Sequence, residues 1–328
     1  MNNRRLIGPV LVHGAYLIEI SAFVLILNFL DFVDHEKEWL FAIYSAALCV
    51  ALPLGGLISD WRGPRFAYLV GGTIFIAACL LLVIAETLFA LLVIRAAQGF
   101  GAGICAPVVP ILLTPDRSEA GRYLANWGSV SSALSAIAPI LIAGLGHFYS
   151  WQVAWLFVPA MALIGLCLGS SRPPKPKRTA NTLRWGQQFW AVIVAIAFTF
   201  GCSTLVVFTL PFALTNGLAS GGALCLLWLT AAVFSAALSR HLTQENAWRF
   251  ILIGVALNLI ALLFLTLSMP YVSAVLCGMG IGMTNAPTTY LVLHHARPGL
   301  KGLGSSMDIV SARLGGGLAV VLFGHAFM

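Results

Sequence analysis

"GGLISDWRGPR", residues 55–65, breaks a long apolar stretch with one carboxylate, two guanidinium groups, a proline and a turn glycine. Apolar runs long enough to cross a bilayer lie on either side of it, at 38–59 and 65–85. The stretch therefore reads as the connector between two membrane helices. Gly63 and Pro64 enforce a tight reversal that keeps those helices antiparallel and adjacent.

The rest of the chain fits that reading. Of its 328 residues 60% are hydrophobic and 9% charged, with a mean hydropathy of +0.95, so most of it cannot face water on all sides. The formal net charge of +7 does not imply nucleic acid, because the cations sit in short connectors rather than on a basic face of a soluble domain. The seven cysteines, at 49, 79, 105, 167, 202, 225 and 277, all fall in apolar runs. They read as packing residues, not as a disulfide or metal framework.

A window of spanning length predicts eleven segments, at 6–32, 38–59, 65–85, 87–114, 121–147, 151–171, 188–214, 217–239, 249–269, 271–293 and 303–326. They are continuously apolar rather than alternating, so they are helices and not barrel strands. The first is too long for a cleavable signal and reads as a retained helix. With the N-terminus in the cytoplasm, one side carries Arg4, Arg5, Arg62, Arg65, Arg117, Arg122, Arg172, Lys175, Lys177, Arg178, Arg184, Arg240, Arg249, Arg297 and Lys301. The other side carries Lys37 alone, which fixes a multi-pass topology in the cytoplasmic (inner) membrane with the N-terminus inside.

The chain also repeats itself. "QGFGAGICAP" from Gln98 and "CGMGIGMTNAP" from Cys277 share G-x-G-x-G followed by Ala-Pro, and Gly99 and Gly278 are 179 residues apart. At nearly the same offset "VSSAL" at 130–134 matches "VSARL" at 310–314. The expected organisation is a six-helix half at 1–171, a basic, proline-rich linker at 172–187 and a five-helix half at 188–328, with the second copy one helix short.

With these pieces in order, G-x-x-x-D-x-x-G-x-R, carried here by Gly56, Asp60, Gly63 and Arg65, resembles the signature between the second and third helices of the major facilitator superfamily. "RAAQGFGAG", Arg95 to Gly103, is similar to that superfamily's fourth-helix motif, and "SWQVAWLFVP", 150–159, to the opening of its sixth helix. Trp61 and Pro64 stand where the loop signature usually has arginines. The fifth-helix pattern of drug–proton antiporters is reduced to "APILIA", with Ala138, Ile142 and Ala143 in the glycine positions. The resemblance implies an all-α, two-domain bundle of about eleven transmembrane helices. It also implies a conformational latch in which Asp60 faces the N-terminal end of the eleventh helix near Gly302 to Gly304. A solvated turn that merely fixes orientation is the plainer account of the same charges.

Ionisable groups inside apolar runs are costly and point to function. Glu19 lies near the middle of the first run, with Tyr16 three residues before it and His13 three before that, a polar stripe on one face. Glu19 is the proton-carrier candidate; His13 reads as a packed polar residue. Arg95, about 13 Å into its helix, is placed to approach Glu19 or an anionic substrate, and Gln98 shares its face. Asp308 and Arg313, five residues apart, point about 140° away from each other. Of the two, Asp308 reads as near the cytoplasmic end and Arg313 as the cavity candidate. Asp31, Asp34, Glu36 and Glu38 read as a solvated outer connector, and His294 and His295 as interfacial. The glycine stripes imply close helix packing, with Pro107 and Pro287 as places where a helix can bend.

No Walker sequence and no nucleophile or acid–base constellation on a soluble segment is present, so an ATP-driven motor and an enzyme are both disfavoured. No cofactor or metal is expected. The expectation is a secondary transporter working by alternating access, exporting a small amphipathic organic compound in exchange for protons. Its cavity residues are Tyr16, Glu19, Arg95, Gln98 and Arg313. Uptake of an organic anion is the alternative within transport; a non-transporting receptor or assembly partner is the alternative outside it. The expected partners are a small-molecule substrate, protons and the bilayer, with no nucleic acid.

Overall fold

The computed structural model describes residues 4–26, 34–114, 119–148, 150–169, 185–210, 212–214 and 217–323. Among them are eleven helices and no strand. We number these α1 (Arg4–Ile26), α2 (Asp34–Arg62), α3 (Pro64–Leu82), α4 (Leu88–Leu113), α5 (Ala120–Phe148), α6 (Trp151–Leu168), α7 (Gln187–Thr209), α8 (Gly217–Leu238), α9 (Ala247–Thr266), α10 (Pro270–His295) and α11 (Lys301–Phe323). Eight contain a stretch long and apolar enough to cross a membrane. α10 is not among the eight because glycines, Asn285, Pro287 and three threonines dilute its apolar residues. Asp31, the linker as far as Arg184 and the last five residues lie outside the described residues, as do the side chains of Asp34, Glu38, Ala138, Ile142 and Ala143.

Local chemistry explains where helices begin and end. α2 stops at Arg62 because Gly63 takes φ 96°, a conformation that costs any other L-residue, and Pro64 then opens α3 where its missing N–H is no loss. The Thr87 hydroxyl accepts from the Ala90 amide at 3.3 Å and caps α4. Gly169, at φ 75°, ends α6. The two interior prolines behave differently. At Pro107 the backbone of α4 tightens to a 3-10 turn over Ala106–Val108, whereas α10 stays helical through Pro287.

The backbone falls into two compact units. One comprises Met1–Pro115, Ile137–Asn181 and Pro298–Ser306; the other comprises Asp116–Ala136, Thr182–Arg297 and Met307–Met328. In the first, Gly99 and Gly103 of α4 lie against the Tyr44 and Leu48 carbonyls of α2, while Gly101 faces Gly71 and Phe75 of α3. A side chain at any of the three would overlap a neighbouring backbone, so glycine is what lets the helices touch. α6 docks through the buried Trp155, whose indole N–H donates to the Cys79 carbonyl at 2.8 Å. Tyr68 of α3 donates to the Gly165 carbonyl at 3.0 Å.

The second unit repeats the arrangement. Gly278 and Gly282 of α10 lie against the Leu227 and Ala231 carbonyls of α8, and Gly280 faces α9 at Asn258. Its core joins Val206, Leu227, Ala231, Ala261, Ala274, Cys277 and Ile281. Large apolar side chains such as Val50, Phe89, Val194, Leu252 and Val321 stay exposed on the helices, as expected where lipid is the solvent.

Candidate functional site

Inside the first unit, α1, α2 and α4 enclose a knot of polar groups. Glu19, Arg95 and Gln98 are 0%, 1% and 0% exposed, which removes water as a partner and makes protein contacts obligatory. The Arg95 guanidinium supplies them. Its Nη1 pairs with Glu19 Oε1 and donates to Gln98 Oε1 at 2.7 Å, and its Nε donates to the Leu40 carbonyl at 3.2 Å. The rings of Phe23 and Tyr44 lie 3.5 and 4.4 Å from the guanidinium carbon, so the cation also gains from two ring faces. The Gln98 amide donates to Cys79 Sγ at 3.5 Å.

Tyr16 is buried one turn before Glu19, its ring 5.5 Å from that of His13. The two rings border a small cavity completed by Val12, Phe75, Ala102, Cys105, Ala106 and Val109. Four of the five expected cavity residues thus belong to this unit. The fifth, Arg313, belongs to the other and is exposed.

The connector residues make a second constellation. Asp60 is 8% exposed and accepts two backbone hydrogen bonds at the start of α11, from the Gly302 amide at 2.7 Å and the Leu303 amide at 2.9 Å. These amides have no acceptor within their own helix, and the helix dipole adds to their pull on a carboxylate. Gly56 permits the approach, because a side chain there would strike Gly302 and Ser306. Ser306 donates to the Leu52 carbonyl at 2.8 Å. Gly63 supplies the turn. Arg65 is half-buried and forms no hydrogen bond or ion pair with the described residues, and Arg62 lies 5.1 Å from the Phe66 ring.

The second unit holds Asp308, which the sequence placed near the cytoplasmic end, and two polar residues missed in the sequence, Thr289 and Asn258. Asp308 of α11 is 7% exposed and accepts from the Thr289 hydroxyl of α10 at 2.7 Å. Asn258 of α9 is fully buried, and neither end of its amide meets a hydrogen-bond partner among the described residues. Two signals pointed to them: the polar run "TNAPTTY" at 284–290 and the lone amide in the apolar segment 249–269. Tyr44 and the Leu40 carbonyl were missed because neither residue type stands out in an apolar run.

The family model of the Major Facilitator Superfamily matches residues 10–320. Over 157 residues the chain is 31% identical to the multidrug resistance protein MdtL of Klebsiella pneumoniae, covering 45% of this chain and 40% of that one. Over 141 residues it is 30% identical to Multidrug resistance protein 3 of Bacillus subtilis, covering 40% and 27%. The aligned stretch is thus less than half the length of either relative. Two solved structures share the fold. The human organic anion transporter MFSD10 (TETRAN) aligns with a TM-score of 0.77 at 17% identity, over 100% of this chain and 95% of that one. The Escherichia coli fucose:proton symporter FucP aligns with a TM-score of 0.78 at 12% identity, over 99% and 92%. With a family model matched along nearly its whole length and its fold shared with these structures, the chain belongs to the major facilitator superfamily.

Proposed function

We propose that this chain is a secondary active transporter that exports a small amphipathic organic compound in exchange for protons. Its two repeats, 1–171 and 188–328, joined by the linker 172–187, alternate access across the cytoplasmic membrane, with the N-terminus inside. The observation that carries the reading is the Glu19–Arg95 pair, an acid and a base sealed inside a helical unit of a membrane protein. Such a pair is costly to bury and is kept where charge must move. Proton uptake by Glu19 would release Arg95 and unlock α1 from α4. The names of the multidrug-resistance relatives support export of organic compounds.

Asp60 serves as the latch in this scheme. Its two hydrogen bonds hold the first turn of α11 against α2, and breaking them frees that turn. Asp60→Asn is expected to shift the resting population toward inward-open forms, read as changed labelling of single cysteines from the two sides of the membrane. Unchanged labelling would favour a solvated turn.

The alternative, uptake of an organic anion, needs an interior cation with spare donors. Arg95 suits it poorly, because Glu19, Gln98 and the Leu40 carbonyl already hold it. Transport in proteoliposomes with an imposed pH gradient tests the whole reading. Glu19→Gln should abolish uphill movement of a candidate compound while leaving its exchange across the membrane measurable, and Arg95→Ala should move the pH profile. Uphill transport by Glu19→Gln would overturn the assignment of Glu19. Uptake without proton counterflow would favour the anion reading, and no compound-dependent flux at all would favour a non-transporting receptor.

A further inference from the structure

Three carboxylates are buried among the described residues, and they are satisfied in three different ways. Glu19 has the Arg95 cation, and Asp60 has two backbone amides at a helix start. Asp308 has a single neutral donor, the Thr289 hydroxyl at 2.7 Å, and no Lys, Arg or His of the described residues forms an ion pair with it. Its place makes that deficit serious. It lies seven residues into α11, about 10 Å along the axis, within a 23-residue apolar span. A carboxylate dehydrated there with one hydroxyl for company is strongly disfavoured, whereas a neutral carboxyl needs little more than the hydrogen bond it has. The Thr289 hydroxyl donates to Oδ2, leaving Oδ1 to carry the proton.

The ionisable groups on the elements packed against α11 do not change this. They are Tyr290, His294 and His295 near the end of α10, Cys202 on α7, Asp60 and Arg62 on α2, and Lys301 and Arg313 on α11 itself. None of them forms an ion pair or hydrogen bond with the Asp308 carboxyl. We propose that Asp308 is a second proton-binding site, protonated while α10 and α11 are packed as here and emptied when water reaches the Thr289–Asp308 pair. The proton passes from the Asp308 carboxyl to that water, and the carboxylate left behind keeps the Thr289 hydroxyl as donor. The site deepens the proton-driven reading above but does not depend on Glu19.

Infrared difference spectra of the full chain in lipid nanodiscs, recorded across a pH titration, test it. The expected result is a carboxyl stretching band that fades as pH rises, is missing in Asp308→Asn and persists in Glu19→Gln. Thr289→Val, which keeps the carboxyl and the shape of its neighbour, should move the midpoint of that band by about half a pH unit or more. Thr289→Ser should restore it, a rescue that a merely structural role would not show. If Asp308→Asn folds poorly, the threonine variants carry the test. A spectrum whose titrating bands are all unaltered by Asp308→Asn, or by both threonine variants, overturns the proposal. Failed proton-driven transport with the Asp308 band intact would count against the transport reading and support the site. Proton-driven transport with no Asp308 band would do the reverse.

Discussion

α4 and α10 are the same helix written twice, with different chemistry inside. Their glycines occupy matching places: the first and third of each G-x-G-x-G face the second helix of the repeat, α2 or α8, and the middle one faces the third, α3 or α9. At the 179-residue spacing that aligns Gly99 with Gly278, however, Arg95 corresponds to Ala274 and Gln98 to Cys277. Both counterparts are buried in an apolar core. In the first unit Gly101 meets the α3 backbone at Gly71 and Phe75, whereas in the second Gly280 meets the Asn258 side chain. Close helix approach at the first and third glycines is therefore common to both units, whereas among the described residues the buried ion pair lies in the first. The glycine scaffold sets the architecture, and charge is added to it locally without changing how the helices meet.

Substitutions at four places test that separation, and the largest effect belongs to the charged knot. Arg95→Leu leaves Glu19 dehydrated without its cation and is expected to cost about 3–5 kcal/mol, read as a lowered unfolding midpoint in detergent. The double variant Glu19→Leu with Arg95→Leu should recover most of that loss, because an apolar pair leaves no uncompensated charge. If it does not, the knot is part of the scaffold and the separation fails.

Next come the glycines. Gly99→Ala and Gly278→Ala each place a methyl group against a backbone carbonyl, of Tyr44 and Leu227 respectively. Each should cost about 1–3 kcal/mol by overpacking. Equal losses would show that the two units depend on the same contact, while a clear inequality would mean that one helix pair can relax.

Asp60→Asn should cost about 1 kcal/mol, the worth of a carboxylate at a helix start, because the amide nitrogen cannot accept from a backbone N–H. High salt should not reproduce the loss, since the contact is buried. A salt-sensitive loss of the same size would place Asp60 in a solvated turn.

The smallest change, and the only favourable one, is expected at Asn258. Replacing an amide that has no hydrogen-bond partner among the described residues by leucine should leave stability unchanged or raise it by about 1 kcal/mol. A loss above that size would show that the amide is satisfied by something further, such as an ordered water.

Hydropathy and turn chemistry, read from the sequence alone, determined the eleven helices, the sharp reversal at Gly63 and the duplicated glycine motif. Each of these rests on neighbours along the chain: twenty apolar residues in a row, a residue that tolerates positive φ, three glycines on alternate positions. The approach of Arg95 to Glu19 was also within reach, because charges inside apolar runs have few places to go, and that of Asp60 to the start of α11 was implied by the resemblance of its motif to the superfamily signature. Only the tertiary structure decided which partners those charges take. Helix rotation brings the Leu40 carbonyl and the Tyr44 ring onto Arg95, puts the Thr289 hydroxyl on Asp308, and turns the Asn258 amide, which has no hydrogen-bond partner among the described residues, toward Gly280. Asp308 and Arg313, five residues apart on one helix, end up buried and exposed respectively. The reason is physical: an apolar helix in lipid has no strong amphipathic signal to fix its rotation, so interlocking with its neighbours does so, and that contact is not local in the chain.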